Sequence, residues 1–148
     1  SHVLMEKRNG LVVDVDTTPA NGTAEREAAL RMIRRQCRRG ATVGADKGYD
    51  THDFVAGCRK AGVTPHVAAK RTGSALDGRT TRHAGYKTSL KVRKRIEEAF
   101  GWLKTVGGLR KTKLIGREKL SGQALLCFAT YNLVRIGSLT GWWDAKHV

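Results

Sequence analysis

Two short, largely apolar runs lie on either side of an Asn-Gly pair at the start of the chain. Residues 3–7 precede Asn9-Gly10, and residues 11–15 follow it. Asn-Gly is the strongest short signal for a hairpin turn, because both residues tolerate φ above zero. The pattern therefore predicts a β-hairpin. Its first strand begins with no leader or cap, which indicates a fragment of a longer protein.

After the hairpin, apolar residues recur first at helical spacing and then in short runs. Thr23 is the predicted N-cap of the first helix, and either Asp50 or Thr51 caps the second. The predicted elements follow in the order helix, strand, helix and strand over residues 24–39, 41–45, 53–61 and 63–69. This order is typical of a mixed β-sheet flanked by helices, so the predicted fold class is α/β.

The second half of the chain predicts one polar loop and two helices. Residues 70–86 are basic and contain three glycines, which predicts a mobile loop that buries nothing. A helix from Ser89 to Thr105 follows and ends before Gly107-Gly108.

The last predicted helix runs over residues 118–136. Its apolar part, residues 124–136, contains two polar interruptions and is too short to cross a bilayer, so it predicts a buried core helix. The length of the chain predicts one domain, for which we expect residues 1–140, with a tail over residues 141–148.

The charge of the chain is strongly positive and unevenly distributed. There are 28 Lys and Arg against 13 Asp and Glu, a net charge of +15. Residues 70–119 alone carry 15 basic and four acidic side chains. This balance indicates a polyanionic partner, most simply nucleic acid. The three cysteines, Cys37, Cys58 and Cys127, lack the spacing of a zinc site or a disulfide framework, and we expect reduced thiols in the cytoplasm.

Asp46 is the first candidate for chemistry. It ends a predicted strand within the run G-A-D-K-G-Y-D. The carboxyl ends of strands are where α/β sheets present reactive groups, and Gly48 allows close approach of a ligand. The alternative is that Asp46 only turns the chain and caps the next helix, which is a common use of aspartate.

Glu97 is the second candidate. On one continuous helix, Arg93, Glu97 and Lys104 fall on the same side. The alternative is a solvated helix carboxylate paired with Arg93, a contact that contributes only about 0.3–0.5 kcal/mol. Together, two carboxylates in a basic chain suit metal-dependent phosphodiester chemistry, since Mg²⁺ takes oxygen ligands and cations hold the phosphate backbone. His66 is more simply a packing or hydrogen-bonding residue, and Trp102 a packing residue.

Three motifs resemble one known family. G-A-D-K-G-Y-D, the run R-K-R-I-E-E-A-F-G-W-L-K and the late A-T-Y-N-L-V-R are similar to bacterial insertion-sequence transposases of the DDE type, and most of all to the insertion-sequence-five family. The resemblance runs from the Asn9-Gly10 hairpin to Arg135. It implies an RNase-H-like α/β domain in which Asp, Asp and Glu bind two Mg²⁺ ions, for which Mn²⁺ substitutes.

Matched by motif, Asp46 stands at the second Asp of the family and Glu97, rather than Glu98, at the Glu. Arg93 and Lys104 match the Arg and Lys of the family signature, and Leu90 stands where that signature has Tyr. The first Asp of the family lies on the strand before the hairpin, so we expect the fold to be N-terminally incomplete. Asp14 and Asp16 do not match that position.

The resemblance also implies function and partners. A metal-activated water would cut the end of the element, and the freed 3′-hydroxyl would attack target DNA. Both the terminal inverted repeats and the target are double-stranded DNA, and a homodimer in a synaptic complex is one assembly that the resemblance allows. The protein would work in the bacterial cytoplasm at the nucleoid. The implied DNA-binding residues are Arg93, Lys104, Lys94, Arg95, Lys70, Arg71, Arg79, Arg82 and Lys87.

Since the chain has two of the three acids that the resemblance implies, we expect the 148 residues alone to be inactive or nearly so. Two other interpretations stay open. A non-catalytic nucleic-acid-binding fragment, in which Asp46 and Glu97 are structural, is the alternative from another class. A related RNase-H-like nuclease would share the site and differ in substrate.

Overall fold

Short strands and helices alternate along the chain in a computed structural model that describes residues 1–19, 21–108 and 113–142. The strands are β1 His2–Met5, β2 Val12–Asp16, β3 Thr42–Ala45 and β4 Thr64–Val67. The helices are α1 Ala24–Gln36, α2 His52–Lys60, α3 Gly78–Thr81, α4 Tyr86–Val92, α5 Arg95–Thr105 and α6 Arg117–Thr140, and a 3₁₀ helix spans Lys47–Tyr49. The predicted α/β class is confirmed.

The chain divides into two units. The hairpin unit comprises Ser1–Pro19 and Arg95–Val148, and the Asp46 unit comprises Ala20–Lys94. In the described residues, each unit has a sheet of two strands: β1 and β2 pair antiparallel, and β3 and β4 pair parallel. The predicted division into residues 1–140 and a tail stays a prediction, since residues 143–148 lie outside the described part.

The hairpin forms as predicted, but its turn is longer than a two-residue loop. Gly10 has φ of +74°, whereas Asn9 keeps a negative φ. Glu6 N–H donates to the carbonyl of Leu11, which closes the turn. The Glu6 carboxylate accepts from the N–H groups of Arg8, Asn9 and Leu11. The side chain of Glu6 therefore organises the turn, together with the one glycine that needs a left-handed backbone.

An apolar cluster joins the hairpin to α5 and α6. Ala99 and Leu103 lie one helical turn apart on α5, Phe128 and Tyr131 share a face of α6, and all four pack with Val12. This spacing explains why each helix packs one apolar face against the hairpin. Trp102 packs edge-on against Tyr131 at 5.8 Å between ring centroids, as predicted for a packing residue.

Polar residues of α6 attach to the hairpin backbone. The Asn132 amide donates to Val12 O at 2.7 Å and accepts from Val12 N–H at 2.9 Å. The Tyr131 hydroxyl donates to the carbonyl of Gly10 at 3.2 Å. These bonds satisfy backbone groups that an edge strand would otherwise leave unpaired.

Two arginines complete this attachment. Arg135 Nε donates to Asn9 O at 2.8 Å. Arg95 Nη1 donates to the carbonyls of Lys7 and Arg8 at 2.6 and 2.7 Å. The predicted DNA-binding residue Arg95 therefore has a structural role in the hairpin unit.

The core of the Asp46 unit lies between α1, α2 and the parallel strands. Ile33, Phe54, Cys58, Val63 and Val67 form its buried cluster. The β3–α2–β4 connection is the short crossover that parallel pairing requires. The three cysteines are free thiols, as predicted, and burial raises the pKa of Cys58 to about 12.

Helix capping in this unit follows the prediction at α2 and departs from it at α1. Thr51 Oγ1 accepts from Phe54 N–H and caps α2. At α1, Thr23 forms no side-chain cap bond, and Asn21 Oδ1 accepts from the N–H groups of Thr23 and Ala24 instead. Asn is as good a capping residue as Thr, and it reaches the first turn from two positions earlier.

The prediction that residues 70–86 form a mobile loop burying nothing is wrong. The segment contains α3, and Thr80 and Tyr86 are buried. The Tyr86 hydroxyl donates to the carbonyl of Val67 at 2.7 Å. Polar side chains with tertiary hydrogen bonds thus hold a segment whose composition predicted a loop.

The predicted helix from Ser89 to Thr105 is also wrong as a single element. Helix α4 ends at Val92 and α5 starts at Arg95. Helix α4 buries Tyr86 and Ser89 in the Asp46 unit, whereas α5 buries residues in the hairpin unit. The helix is interrupted because its two halves pack into different cores.

Helix α6 was predicted as a buried core helix, and this is wrong as well. Ala124, Phe128 and Tyr131 face inward, but Leu126 is 69% exposed and Leu133 61%. One face packs on the hairpin, which leaves most of the apolar side chains outside. Within the residues that the structure describes, no helix combines the length and apolarity needed to cross a bilayer.

Candidate metal and DNA site

Asp46 directly follows β3 and is exposed. Its Oδ1 accepts from Gly48 N–H at 2.7 Å and caps the 3₁₀ helix. A Cβ at position 48 would lie 3.0 Å from the same oxygen, so glycine keeps this turn open. In the described part of the chain, the other oxygen, Oδ2, accepts no hydrogen bond. Asp46 therefore caps the 3₁₀ helix, whereas Thr51 caps α2, and the second carboxylate oxygen of Asp46 is left for a ligand.

Asp50 lies four residues after Asp46 and has the opposite environment, with 1% of its surface exposed. Its carboxylate accepts from the N–H groups of Lys70 at 2.7 Å and Ala75 at 2.9 Å. Burial raises the pKa of Asp50, but hydrogen bonds from Lys70, Ser74 and Ala75, with the Lys70 charge, outweigh it and lower that pKa below its ordinary value. Sequence reasoning treated Asp50 as a turn or cap residue and missed this role.

The parallel pairing places the start of the basic segment at the sheet edge that carries Asp46. Ala45 pairs with Val67, and Ala68 N–H donates to Ala45 O at 3.0 Å. Asp46 and Lys70 therefore follow neighbouring strands at their carboxyl ends. Lys70 and Arg71 are both exposed. An acid and two cations thus share one edge of this unit.

Glu97 lies in the first turn of α5, next to Glu98, and both are exposed. In the described residues Glu97 forms no ion pair and accepts no hydrogen bond, so the structure does not have the salt-bridged helix that was the alternative. The positive end of the helix dipole favours a carboxylate here. Burial raises the pKa of the Tyr131 hydroxyl. The charge of Arg135 lowers this pKa, and the charge of Glu98 raises it. Glu98 is therefore the acid whose charge acts on Tyr131.

The interruption at Arg93 and Lys94 changes the helical argument. Arg93 is the C-cap of α4 and belongs to the Asp46 unit, whereas Glu97 and Lys104 lie on α5. The prediction that these three residues share one face of one helix is therefore wrong. Arg93 is half-buried, and its Nε has no hydrogen-bond partner in the described part of the chain.

Among the other predicted DNA-binding residues, exposure is the rule. Arg79 is exposed too, but it forms a salt bridge with Asp77 at 2.7 Å. Hydrogen bonds from Arg79 lower the pKa of Asp77 to about 2. Asp77 also contacts Arg59 at 2.9 Å. The remaining cations of this group are on the surface of the Asp46 unit or on α5: Arg82, Lys87, Lys94 and Lys104.

Asp46 and Lys70 follow the same ends of the two paired parallel strands, whereas Glu97 belongs to the other unit. In residues 1–19, 21–108 and 113–142, no group of three or more His, Cys, Asp or Glu side chains could hold a metal. His66 is buried and its Nδ1 lies 2.7 Å from Ser89 Oγ, which agrees with the packing and hydrogen-bonding role predicted for it.

A comparison with known protein families matches most of the chain. The sequence model of the transposase DDE domain covers residues 1–133. No curated protein and no solved structure matches the chain. The small sheets flanked by helices are consistent with the RNase-H-like domain of such transposases. With nine-tenths of its length matched, the chain belongs to the transposase DDE domain family.

Proposed function

We propose that this chain contributes two metal-binding acids to DNA transposition, in which metal-dependent cleavage and strand transfer occur at the ends of an insertion sequence. Its family suggests transposition, DNA as the substrate and the use of divalent metal ions. The observation that carries the proposal is the exposed Asp46 carboxylate at the end of β3, at the sheet edge shared with Lys70 and Arg71. An acid beside cations suits a metal ion bound to a phosphate.

Asp46 and Glu97 are the side chains that would hold the metal. Both are exposed carboxylates, and hard cations such as Mg²⁺ prefer oxygen ligands. When bound, two Mg²⁺ ions, or Mn²⁺ in their place, would activate the attacking oxygen and stabilise the leaving one. The N–H of Gly48 fixes one oxygen of Asp46, which orients the other for the ion.

The predicted DNA-binding cations differ in whether their side chains are exposed or already bonded to other groups of the protein. Lys70, Arg71, Lys87, Lys94 and Lys104 are exposed. Arg93 is half-buried, so less of its guanidinium is available to phosphate. Arg82 is exposed as well, whereas Arg79 is held by Asp77 and Arg95 by the hairpin. We expect these last two to contribute least to DNA affinity.

The finer identity is part of the same proposal. The motifs around Asp46, Glu97 and Tyr131 favour the insertion-sequence-five group within the family. In that setting, terminal inverted repeats and target DNA are the substrates, a homodimer forms the synaptic complex, and the protein works at the bacterial nucleoid.

Binding of Mn²⁺ to the chain on a DNA duplex, followed by electron paramagnetic resonance, tests the metal site. We expect Asp46→Asn and Glu97→Gln each to remove the same ion, and the double variant to remove no more. Glu98→Gln is the matched control, because it neutralises the adjacent acid of α5. Equal loss on Glu98→Gln, or independent losses at Asp46 and Glu97, would contradict a shared site.

A strand-cleavage assay with Mg²⁺ or Mn²⁺, on DNA carrying the ends of the element, tests activity. We expect little or no cleavage by these 148 residues, because they supply two of the three acids that the resemblance implies. Robust cleavage that Asp46→Ala abolishes would overturn this expectation.

A non-catalytic nucleic-acid-binding role is the second candidate, and the net charge of +15 favours it. It requires DNA affinity with no Mn²⁺ bound at Asp46 or Glu97. A related nuclease would instead cleave DNA that lacks the element's ends.

A further inference from the structure

Both ends of the Asp50 loop, which we define as residues 70–75, attach to one buried carboxylate. Lys70 N–H donates to Asp50 Oδ2 at 2.7 Å, and Ala75 N–H donates to Oδ1 at 2.9 Å. The Ser74 side chain adds a third hydrogen bond. Asp50 is 1% exposed, so water has little access to the carboxylate that accepts these bonds. The two ends of the loop are therefore fixed relative to each other.

The same contacts connect the segments that follow the two parallel strands. Asp50 lies beyond the 3₁₀ helix that Asp46 caps, on the β3 side. The Asp50 loop begins three residues after the end of β4. Asp50 thus ties the chain after β4 to the turn that carries Asp46.

Further contacts hold the far side of the Asp50 loop. Leu76 packs against the buried cluster of the Asp46 unit. Asp77 accepts from Arg59 Nη2 at 2.9 Å. The chain is thus anchored on both sides of the part that remains exposed.

That exposed part carries the cations. Arg71, Thr72 and Gly73 lie between the two Asp50 contacts and are exposed, as is Lys70. Gly73 has φ of +65°, so it allows the tight reversal at the tip. Without the Asp50 bonds, these residues would have to be ordered when a ligand binds, and that cost reduces affinity.

We propose that Asp50 is a positioning residue for DNA, which holds Lys70 and Arg71 beside Asp46 to bind the phosphate backbone. The inference rests on the proposed function and adds an acid that touches neither metal nor DNA. Hydrogen bonds lower the pKa of Asp50 below its ordinary value, so its ionised carboxylate is the acceptor at neutral pH. Removing a negative charge usually strengthens binding to a polyanion, but here we expect the removal of the Asp50 charge to weaken DNA binding.

Asp50→Asn tests that sign against a matched control. Asparagine presents an NH₂ group to one of the two N–H donors, so one end of the loop is released. Asp53→Asn makes the same charge change at an exposed position on α2. In anisotropy titrations with a 30-base-pair duplex in EDTA, we expect Asp50→Asn to bind about threefold to tenfold more weakly, and Asp53→Asn to bind equally or more tightly. Tighter binding by both would overturn the proposal.

Ser74→Ala and a mutant cycle show whether weaker binding by Asp50→Asn comes from loss of positioning or from loss of the folded state. Ser74→Ala removes one bond to Asp50 without changing charge, and we expect a smaller loss of affinity. Lys70→Ala/Arg71→Ala should reduce the slope of log K against log salt by about 2, one for each phosphate contact. Adding Asp50→Asn to that double variant should then cause no further loss of affinity. An additive loss would contradict positioning through Lys70 and Arg71.

Amide hydrogen exchange without DNA separates this inference from the proposed function. The N–H groups of Lys70 and Ala75 should exchange faster in Asp50→Asn, with the amides of α2 as the internal control. Absence of duplex binding by the unmodified chain would refute the DNA function, while faster exchange would still support the anchor. Unchanged exchange at both amides would refute the anchor itself.

Discussion

The turn after β3 and the first turn of α5 each carry two carboxylates, and they use them differently. In the turn, Asp46 is exposed while Asp50 is buried and holds a loop. On α5, Glu97 and Glu98 are both exposed, and only the charge of Glu98 acts on Tyr131. The comparison shows that burial and hydrogen bonding, more than sequence spacing, separate a structural acid from one that is free to bind a ligand.

The largest expected difference between the two regions is in stability. Asp50→Ala removes a buried carboxylate and leaves the N–H groups of Lys70 and Ala75 without that acceptor, and we expect it to reduce the free energy of unfolding by about 2–4 kcal/mol. Urea unfolding followed by circular dichroism measures this. A loss as small as that of an exposed acid would remove the distinction between Asp50 and Asp46.

The pH dependence of stability should single out the same residue. The pKa of Asp50 is lower in the folded state than its ordinary value, so its contribution is complete above the unfolded pKa of about 3.9. That contribution is lost as the pH falls through the lower, folded pKa. We expect urea midpoints to fall with acidification less steeply in Asp50→Asn than in the unmodified chain. Parallel curves would show that Asp50 is not stabilised as an anion.

Asp46→Ala should have a smaller effect on stability. It removes one exposed capping bond to Gly48 N–H, which is worth about 0.5–1 kcal/mol. The same urea titration, compared with Asp50→Ala, measures the ratio of the two effects. If Asp46→Ala were the more destabilising, the exposed acid would be the structural one.

The smallest effects are expected on α5. Glu97→Gln and Glu98→Gln should each change stability by only a few tenths of a kcal/mol, through the helix dipole. They should differ at Tyr131, because Glu98 raises the pKa of its hydroxyl. We expect Glu98→Gln to lower that pKa and Glu97→Gln to leave it unchanged, as followed by ultraviolet difference titration. The reverse result would exchange the roles of these two acids.

Local sequence patterns predicted the elements of the Asp46 region well. The strand ending at Asp46, the Thr51 cap and the α2 helix depend on contacts within a few residues, and each was predicted within a few positions. The cap of α1 was assigned to Thr23 rather than Asn21, because two adjacent capping residues compete and the backbone decides between them.

The longer helices were predicted less well. The apolar spacing of residues 89–105 is continuous, and nothing local marks the interruption at Arg93 and Lys94. It occurs because the two halves bury side chains in different cores. In the same way, the apolar run of α6 predicts burial, but the side that packs is set by the hairpin.

By itself, the sequence determined the α/β class, the positive field, the exposed acid at the end of β3 and the family resemblance, all of which depend on composition or on short-range order. The tertiary structure decided which polar groups are used for folding. Asp50 meets Lys70 over 20 residues, and Asn132 meets Val12 over 120. Such bonds carry no periodic signal, because their partners are chosen by packing, and so only the folded chain separates Asp50 from Asp46.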